Sequence, residues 1–319
     1  MLLTDVIKPG KVIFHDKIFE PDEIRSGIDQ LSRYLADNIP RDRPFIYLIS
    51  HNHVKFIIAY FAIIKSGHIC ILVDPAIGKL EFEEMLEDTP PAAMIRVDAS
   101  TIPFDYSREV VFRENAAVFT EELEDVCTML YTAADDGYAK AAMLTARNLI
   151  ANAKSHVSEN LASPDSCICA LLPFYKTFGL TTGLLSPFLA GAKAMVCDQH
   201  LGRVRSLLAP FAMHRLSHLY TIPIALHLLA RAGFGEKSSS VIITTGGYKL
   251  PTRLFDNYEK KFGCLIHEGY GLTETSPVCS WHSPKDEVKI GSVGKHGSYC
   301  TVSVSEEGEL RVKGDNVFV

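Results

Sequence analysis

The sequence predicts an α/β protein: two α/β subdomains with mostly parallel sheets flanked by helices, then the start of a small antiparallel β-barrel. Three observations predict this class. Continuous apolar runs such as "FIYLIS", "HICILVD" and "CICALLP" alternate with longer segments of helical period, as strands buried on both faces alternate with the helices covering them. From Ser292 the pattern changes to period two around a Glu306-Glu307-Gly308 turn, which reads as a hairpin. At 319 residues and 47% hydrophobic, the chain has apolar material for two or so compact units.

In order, the pattern opens with a hairpin around "VIFHDKIFE" and a helix from about Asp22 to Asn38, with Ile24, Ile28, Leu31 and Leu35 at helical spacing. A strand "FIYLIS", a helix "HVKFIIAYFAIIKSG", a strand "HICILVD", an acidic helix "KLEFEEMLED" and a strand "AAMIRVD" follow. A second series starts at Cys127: "CTMLYT", helix 145–162, "CICALLP", helix 178–190, "AKAMVCD", helix 201–212, "HLYTIP", helix 224–232, "VIITTG", helix 251–262 and "LIHEGYG". The expected units are therefore 1–125, 126–285 and 286–319, the last opening the antiparallel piece. The chain ends at "GDNVFV" in strand-like material, so a truncated chain is expected.

The charge of −6, from 32 basic and 38 acidic residues, is interspersed. It leaves no basic stripe for nucleic acid and no polybasic run for lipid. Eight scattered cysteines without a CxxC pair read as reduced core residues, which fits a cytoplasmic protein. The N-terminus lacks an apolar signal region, and the run "FIIAYFAII" is too short to span a bilayer.

Three glycine-bearing segments hold the candidate chemistry. "MLYTAADDGYAKAAMLTARNL" reads as strand, tight loop and helix, with Thr132, Gly137 and Lys140 in or beside the loop. Loop N–H groups and a following helix N-terminus form an anion cradle. "TTGGYKLP" places Gly246, Gly247 and Tyr248 at a strand end. "EGYGLTETSP" places Gly269, Tyr270, Gly271, Thr273 and Glu274 after another. Glycines allow close backbone approach, an aromatic can flank a ring, a threonine can donate to an oxyanion and a glutamate can hold Mg²⁺. Each stretch alone also reads as an ordinary turn. Together they converge on the carboxyl edge of one sheet, where such folds bind ligands.

Other constellations are weaker. His214 and His218 are four apart but lack a neighbouring glutamate and a third ligand, so they read as a solvated or core helix face. His282 and Asp286 fall in a Pro-containing loop, Cys167 and Cys169 read as core, and no GxSxG elbow occurs.

These pieces in this order resemble the large N-terminal domain of the adenylate-forming superfamily: acyl- and aryl-CoA synthetases, firefly luciferase and the adenylation domains of peptide synthetases. The likeness covers essentially the whole chain. "LLPFYKTFGL" is similar to the family's LPxFHxxGL, "TTGGYKL" to its GGAxL, and "YGLTE" matches YGxTE, while "GSVGK" and "GELRVKGDNVF" resemble the segment leading into its small barrel. The resemblance implies a two-step reaction in which a carboxylate attacks the α-phosphate of ATP and a thiol then takes the acyl group. It implies ATP or AMP with Mg²⁺, a carboxylic acid, and coenzyme A or a carrier-protein phosphopantetheine as thiol. Gly246, Gly247 and Tyr248 would line the adenine and acyl pocket, and Gly269, Tyr270 and Gly271 would lie beside adenine. Thr273 would contact the α-phosphate and Glu274 would hold the metal. Tyr175, Lys176 and Gly179 would border the acid, Lys176 standing where the family has histidine, a flexible cation in place of a flat ring.

The phosphate loop departs from the family's YTSGTTGxPKG. Thr132, Gly137 and Lys140 are retained, but Ala133, Asp135 and Asp136 replace hydroxyl-bearing residues, and Ala134 and Ala141 replace glycines. An aspartate within about 4 Å of a phosphate oxygen costs on the order of 1–4 kcal/mol. Either the loop no longer grips pyrophosphate, or it swings away with its aspartates towards solvent or Lys140. The family's hinge and C-terminal domain, with its catalytic lysine, would lie past residue 319. Two functional readings follow: the N-terminal domain of an acid–thiol ligase, or a non-catalytic adenylation-like binding or scaffold module.

Overall fold

The computed structural model describes residues 3–15, 17–98, 104–132, 140–197, 207–234 and 240–319. Among these, a six-stranded sheet runs in the order Val110–Phe112, Ala93–Arg96, Phe45–Ile49, Ile69–Val73, Val126–Thr132 and Lys140–Thr145. Its inner pairs are parallel and its two edge pairs antiparallel. A nine-stranded sheet runs Lys295–His296, Val278–Trp281, Ile266–Gly271, Ile242–Thr245, His218–Thr221, Cys167–Ala170, Lys193–Val196, Val12–Phe14 and Lys17–Phe19. From Val12–Phe14 to Ile266–Gly271 it is parallel. The period-two tail forms the expected hairpin, Cys300–Val304 against Leu310–Gly314.

Packing explains the apolar helices. Ten residues of helix Val54–Lys65 are buried, its apolar side chains in a cluster that joins the inner faces of both sheets. That cluster takes Ile46 and Leu72 from one sheet, Ala170 and Val196 from the other, and Leu149 and Leu180 from the helices between them. Helix Lys79–Asp88 covers the outer face of the first sheet through Met85. Helices Leu208–Met213, Pro223–Arg231 and Thr252–Phe262 cover the outer face of the second. The result is five layers, with helices outside and between two sheets. Each fully buried aliphatic or aromatic side chain contributes roughly 1.5–3 kcal/mol.

Tertiary pairing overrides the sequence reading at three places. The boundary at residue 125 is not a sheet boundary: Val126–Thr132 and Lys140–Thr145 join the first sheet, and Val12–Phe14 and Lys17–Phe19 join the second. The strand–loop–helix is a β-hairpin, with Thr132 opposite Lys140, and the helix begins only at Ala146. Ala142 and Leu144 face inward in alternation, which is a strand period. A capping box then starts the helix: the Asn148 N–H donates to Thr145 Oγ1 at 3.1 Å, and the Thr145 N–H donates to Asn148 Oδ1 at 2.8 Å. His214 and His218 likewise do not share a helix, since His214 follows Leu208–Met213 and His218 opens a strand. Part of the expected helix 201–212 lies outside the described residues.

Helix Ala146–Glu159 turns a polar face to the C-terminal part of the chain. The Asn148 amide donates to the carbonyls of Asp315 (2.8 Å) and Val317 (2.7 Å). One turn on, the Asn152 amide donates to those of Thr275 (3.0 Å) and Val278 (2.7 Å). Ser155 Oγ accepts the Ser298 N–H at 3.2 Å, and Ser283 Oγ donates to the Glu159 carbonyl at 2.8 Å.

Asn152→Ala removes the side-chain donor from the Val278 carbonyl and one of two such donors from the Thr275 carbonyl, which Asn316 also serves, in a buried setting. An unmet buried carbonyl costs about 1–3 kcal/mol. The variant is expected to lose roughly 2 kcal/mol or more in urea unfolding, with the denaturant slope unchanged; an unchanged midpoint would show that the asparagine does not hold this junction.

Candidate active site

The parallel strands of the second sheet end together, and the chain after each end bends over one cavity of about 530 Å³. After Ile242–Thr245 come Gly246, Gly247 and Tyr248; Gly247 has φ +79°, a backbone turn that favours glycine. Strand Ile266–Gly271 runs alongside, and Glu268 Oε1 accepts the Leu250 N–H at 3.0 Å, which pins the first loop to the second strand. At Gly271 a Cβ would overlap the Pro277 carbonyl, so only glycine fits. The next turn is closed by buried Thr275, whose hydroxyl accepts the Leu272 N–H at 2.9 Å and donates to the Pro277 carbonyl at 2.6 Å. That turn holds Thr273 at the cavity wall, its Oγ1 3.3 Å from Thr177 Oγ1.

The opposite wall is the segment Leu172 to Gly179. Asn52 fixes it, donating to the carbonyls of Ala170 (3.2 Å) and Leu172 (2.8 Å) and accepting the Phe174 N–H at 2.8 Å. At Gly179 a Cβ would overlap the Pro173 carbonyl, so the start of the helix lies flush on the strand exit. Lys176 is exposed at the rim.

Of the residues singled out from sequence, Lys176, Gly179, Gly246, Gly247, Tyr248, Gly269, Tyr270, Gly271 and Thr273 line this cavity. Tyr175 does not: burial first, then the Asp74 carboxylate, push its hydroxyl up to about 12. Glu274 sits beside the cavity, half-buried, its carbonyl accepting the Phe318 N–H at 2.9 Å. Its carboxylate takes part in no hydrogen bond or ion pair among the described residues, so it is available to a hard cation. Thr132 and Lys140 face each other across the hairpin, with Thr132 Oγ1 donating to the Lys140 carbonyl at 3.3 Å. Strand Lys140–Thr145 packs on the turn Thr273–Thr275, which brings this strand next to the cavity. Gly137, Asp135 and Asp136 lie outside the described residues. Among the described residues, no group of three His, Cys, Asp or Glu could hold a metal, so Mg²⁺ at Glu274 would need other oxygens, such as a nucleotide's phosphates.

Sequence reading missed the buried end of the cavity, formed by His156, Asn160, Thr244, Phe178, Val278 and Trp281. Some signal was present, because Asn148, Asn152 and His156 recur every fourth residue and so share a helix face. Burial, then the neighbouring His218, lower His156 to about 3. His218 is lowered by burial as well, its Nε2 2.8 Å from the Asn160 carbonyl. Burial also brings His53 and His267 to about 4.

A family model described as AMP-binding enzyme matches residues 12–318. The chain is 24% identical over 290 residues to a 2-succinylbenzoate–CoA ligase of Bacillus mycoides, covering 85% of this chain and 60% of that protein. It thus spans less than two thirds of that relative's length. Among solved structures, apo MatB from Rhodopseudomonas palustris superposes with a TM-score of 0.83 at 18% identity, covering 100% of this chain and 71% of that one. The o-succinylbenzoate CoA synthetase from Bacillus subtilis, in complex with the acyl-adenylate intermediate OSB-AMP, gives 0.82 at 19% identity, covering 99% and 69%. At these identities the structural likeness concerns the fold.

The buried imidazoles predict a pH dependence. Folded-state pKa values below the ordinary 6.5 mean that the unfolded chain binds protons first. Their contribution is therefore fully present above about pH 6.5 and is lost as pH falls towards 4, by roughly 1 kcal/mol per pH unit for each imidazole that stays neutral in the fold. Thermal midpoints should hold from pH 7.5 to about 6.5 and then fall down to pH 5; a flat profile throughout would mean these histidines are protonated in the fold.

Proposed function

The chain belongs to the AMP-binding enzyme family, and from its site we propose that it forms the nucleotide- and acid-binding part of an ATP-dependent acid–thiol ligase. In that reaction a carboxylate oxygen attacks the α-phosphorus of ATP, the bond to the β-phosphate oxygen breaks, and acyl-AMP and pyrophosphate form. A thiolate then attacks the acyl carbon and AMP leaves. The observation that carries the proposal is the convergence of the two glycine-bearing strand ends and Thr273 on one cavity of about 530 Å³ that has a buried end.

In this reading adenine lies against the Gly246–Tyr248 loop and Tyr270, whose ring is partly exposed at the rim. The glycines let the backbone approach the base, and Gly271 permits the tight turn that presents Thr273. The Thr273 hydroxyl, oriented by Thr177, donates to the α-phosphate as negative charge builds there, an arrangement that favours the transition state if it is held in advance. Glu274 would hold a Mg²⁺, which neutralises phosphate charge when bound. The acid extends into the buried end with its carboxylate towards the rim, where Lys176 offers a cation. Lys140 on the adjoining hairpin supplies a second positive group. Relatives named as CoA ligases favour coenzyme A as the thiol over a carrier protein. Eight buried cysteines without a disulfide favour a reducing, cytoplasm-like compartment. Among the described residues no helix is long and apolar enough to cross a membrane.

Asp135 and Asp136 favour a second reading, in which the adenylate pocket persists in a non-catalytic binding module. Calorimetric titration separates the two. AMP should bind the wild-type chain, and Thr273→Val should weaken it about tenfold or more, the value of one hydrogen bond to a charged group. For Mg–ATP, an affinity little changed by Asp135→Thr with Asp136→Thr supports the ligase. ATP binding that appears only after this double change supports the module. Failure of AMP to bind at all would remove the nucleotide reading.

A further inference from the structure

The polar face of helix Ala146–Glu159 leaves one member without a task. Asn148 and Asn152 each serve two backbone carbonyls. Asn160, just past the helix, donates to the His156 carbonyl at 3.1 Å and accepts weakly from Thr244 Oγ1 at 3.5 Å. His156 lies between them, 2% exposed and lining the buried end of the cavity. Neither of its ring nitrogens has a hydrogen-bond partner among the described residues. Tyr220, whose ring centroid is 4.6 Å from that of His156, has a buried hydroxyl in the same condition. A buried donor or acceptor left unmet costs about 1–3 kcal/mol, and native folds leave few of them. His156, unlike Tyr220, lies in the wall of the cavity, where an unmet imidazole marks the place at which a ligand completes the set.

The chemistry of the surroundings narrows the ligand. A neutral imidazole offers one donor and one acceptor, the pattern that a hydroxyl or a primary amide matches. Lys176, at the exposed rim, is the only charged side chain among the described residues that line the cavity, so nothing at the buried end would balance a second carboxylate. A hydrocarbon tail would leave the imidazole unmet. The walls between rim and floor include Phe178, Ile222, Val278 and Trp281, whose apolar and aromatic surfaces suit a planar ring.

Building on the proposed ligase function, we infer that the acid taken by this site is a ring-bearing carboxylic acid with an uncharged hydroxyl or amide at the end remote from its carboxylate, read by His156. His156 is a specificity-determining residue in this assignment: it meets the far end of the acid and takes no part in bond making.

The test is calorimetric titration of the chain with AMP and three non-hydrolysable acyl-sulfamoyl adenosines carrying 4-hydroxybenzoyl, benzoyl and hexanoyl groups. The hydroxybenzoyl compound should bind at least tenfold more tightly than the benzoyl one, and the hexanoyl compound most weakly. In His156→Phe the first two should bind alike; in His156→Asn, which keeps a donor and an acceptor, part of the preference should remain. AMP binding with equal or tighter affinity for the benzoyl or hexanoyl compound overturns the inference and leaves the nucleotide reading intact. A preference that survives in folded His156→Phe also overturns it. If neither AMP nor any of the three binds, the proposed function fails and this inference fails with it. The wild-type series decides the matter even if His156→Phe does not fold.

Discussion

The buried polar face of helix Ala146–Glu159 is the constraint on which the site depends. A helix between two sheets ordinarily buries only apolar side chains, because an unpaired polar group there is costly. This one buries Asn148 and Asn152, four residues apart, and their amides serve the carbonyls of Asp315, Val317, Thr275 and Val278. Asn152 holds Thr275, which ends the turn that presents Thr273, and Val278, which opens the strand after it. Asn316 adds a second donor to the Thr275 carbonyl at 3.0 Å. The location of Thr273 thus follows from a helix face more than one hundred residues earlier in the chain.

The cavity walls depend on the absence of side-chain atoms. Gly179 and Gly271 sit where backbone meets backbone, at a carbonyl that any Cβ would overlap. They act as packing residues that set the width of the cavity. Gly247 differs, since its positive φ turns the chain after the strand and leaves Tyr248 exposed at the rim. The resemblance to a family motif groups these glycines together, whereas the geometry separates close approach from backbone reversal.

Electrostatics divides the site into two regions. Lys176 and the Glu274 carboxylate stand near the solvent-facing side, where water and salt screen their charges. The buried end is neutral, with His156 and His218 both kept uncharged by desolvation. The cavity is thus charged at its rim and uncharged at its buried end.

The α/β class, the helices of the first half, the terminal hairpin and nine residues that line the cavity were legible in the sequence. Each rests on local information: a run of period two or 3.6, a glycine pair after a strand, a motif in order. Helix Pro21–Asn38 buries Ile24, Ile28, Leu31 and Leu35, the residues its spacing had marked. The tertiary structure alone decided that Val126–Thr132 belongs to the first sheet, that Lys140–Thr145 is a strand, that Tyr175 turns to Asp74, and that His156 forms the cavity floor. The physical reason is that sheet membership and side-chain partners are set by non-local pairing and burial, and a residue's own neighbours in sequence carry no record of which distant backbone it will meet.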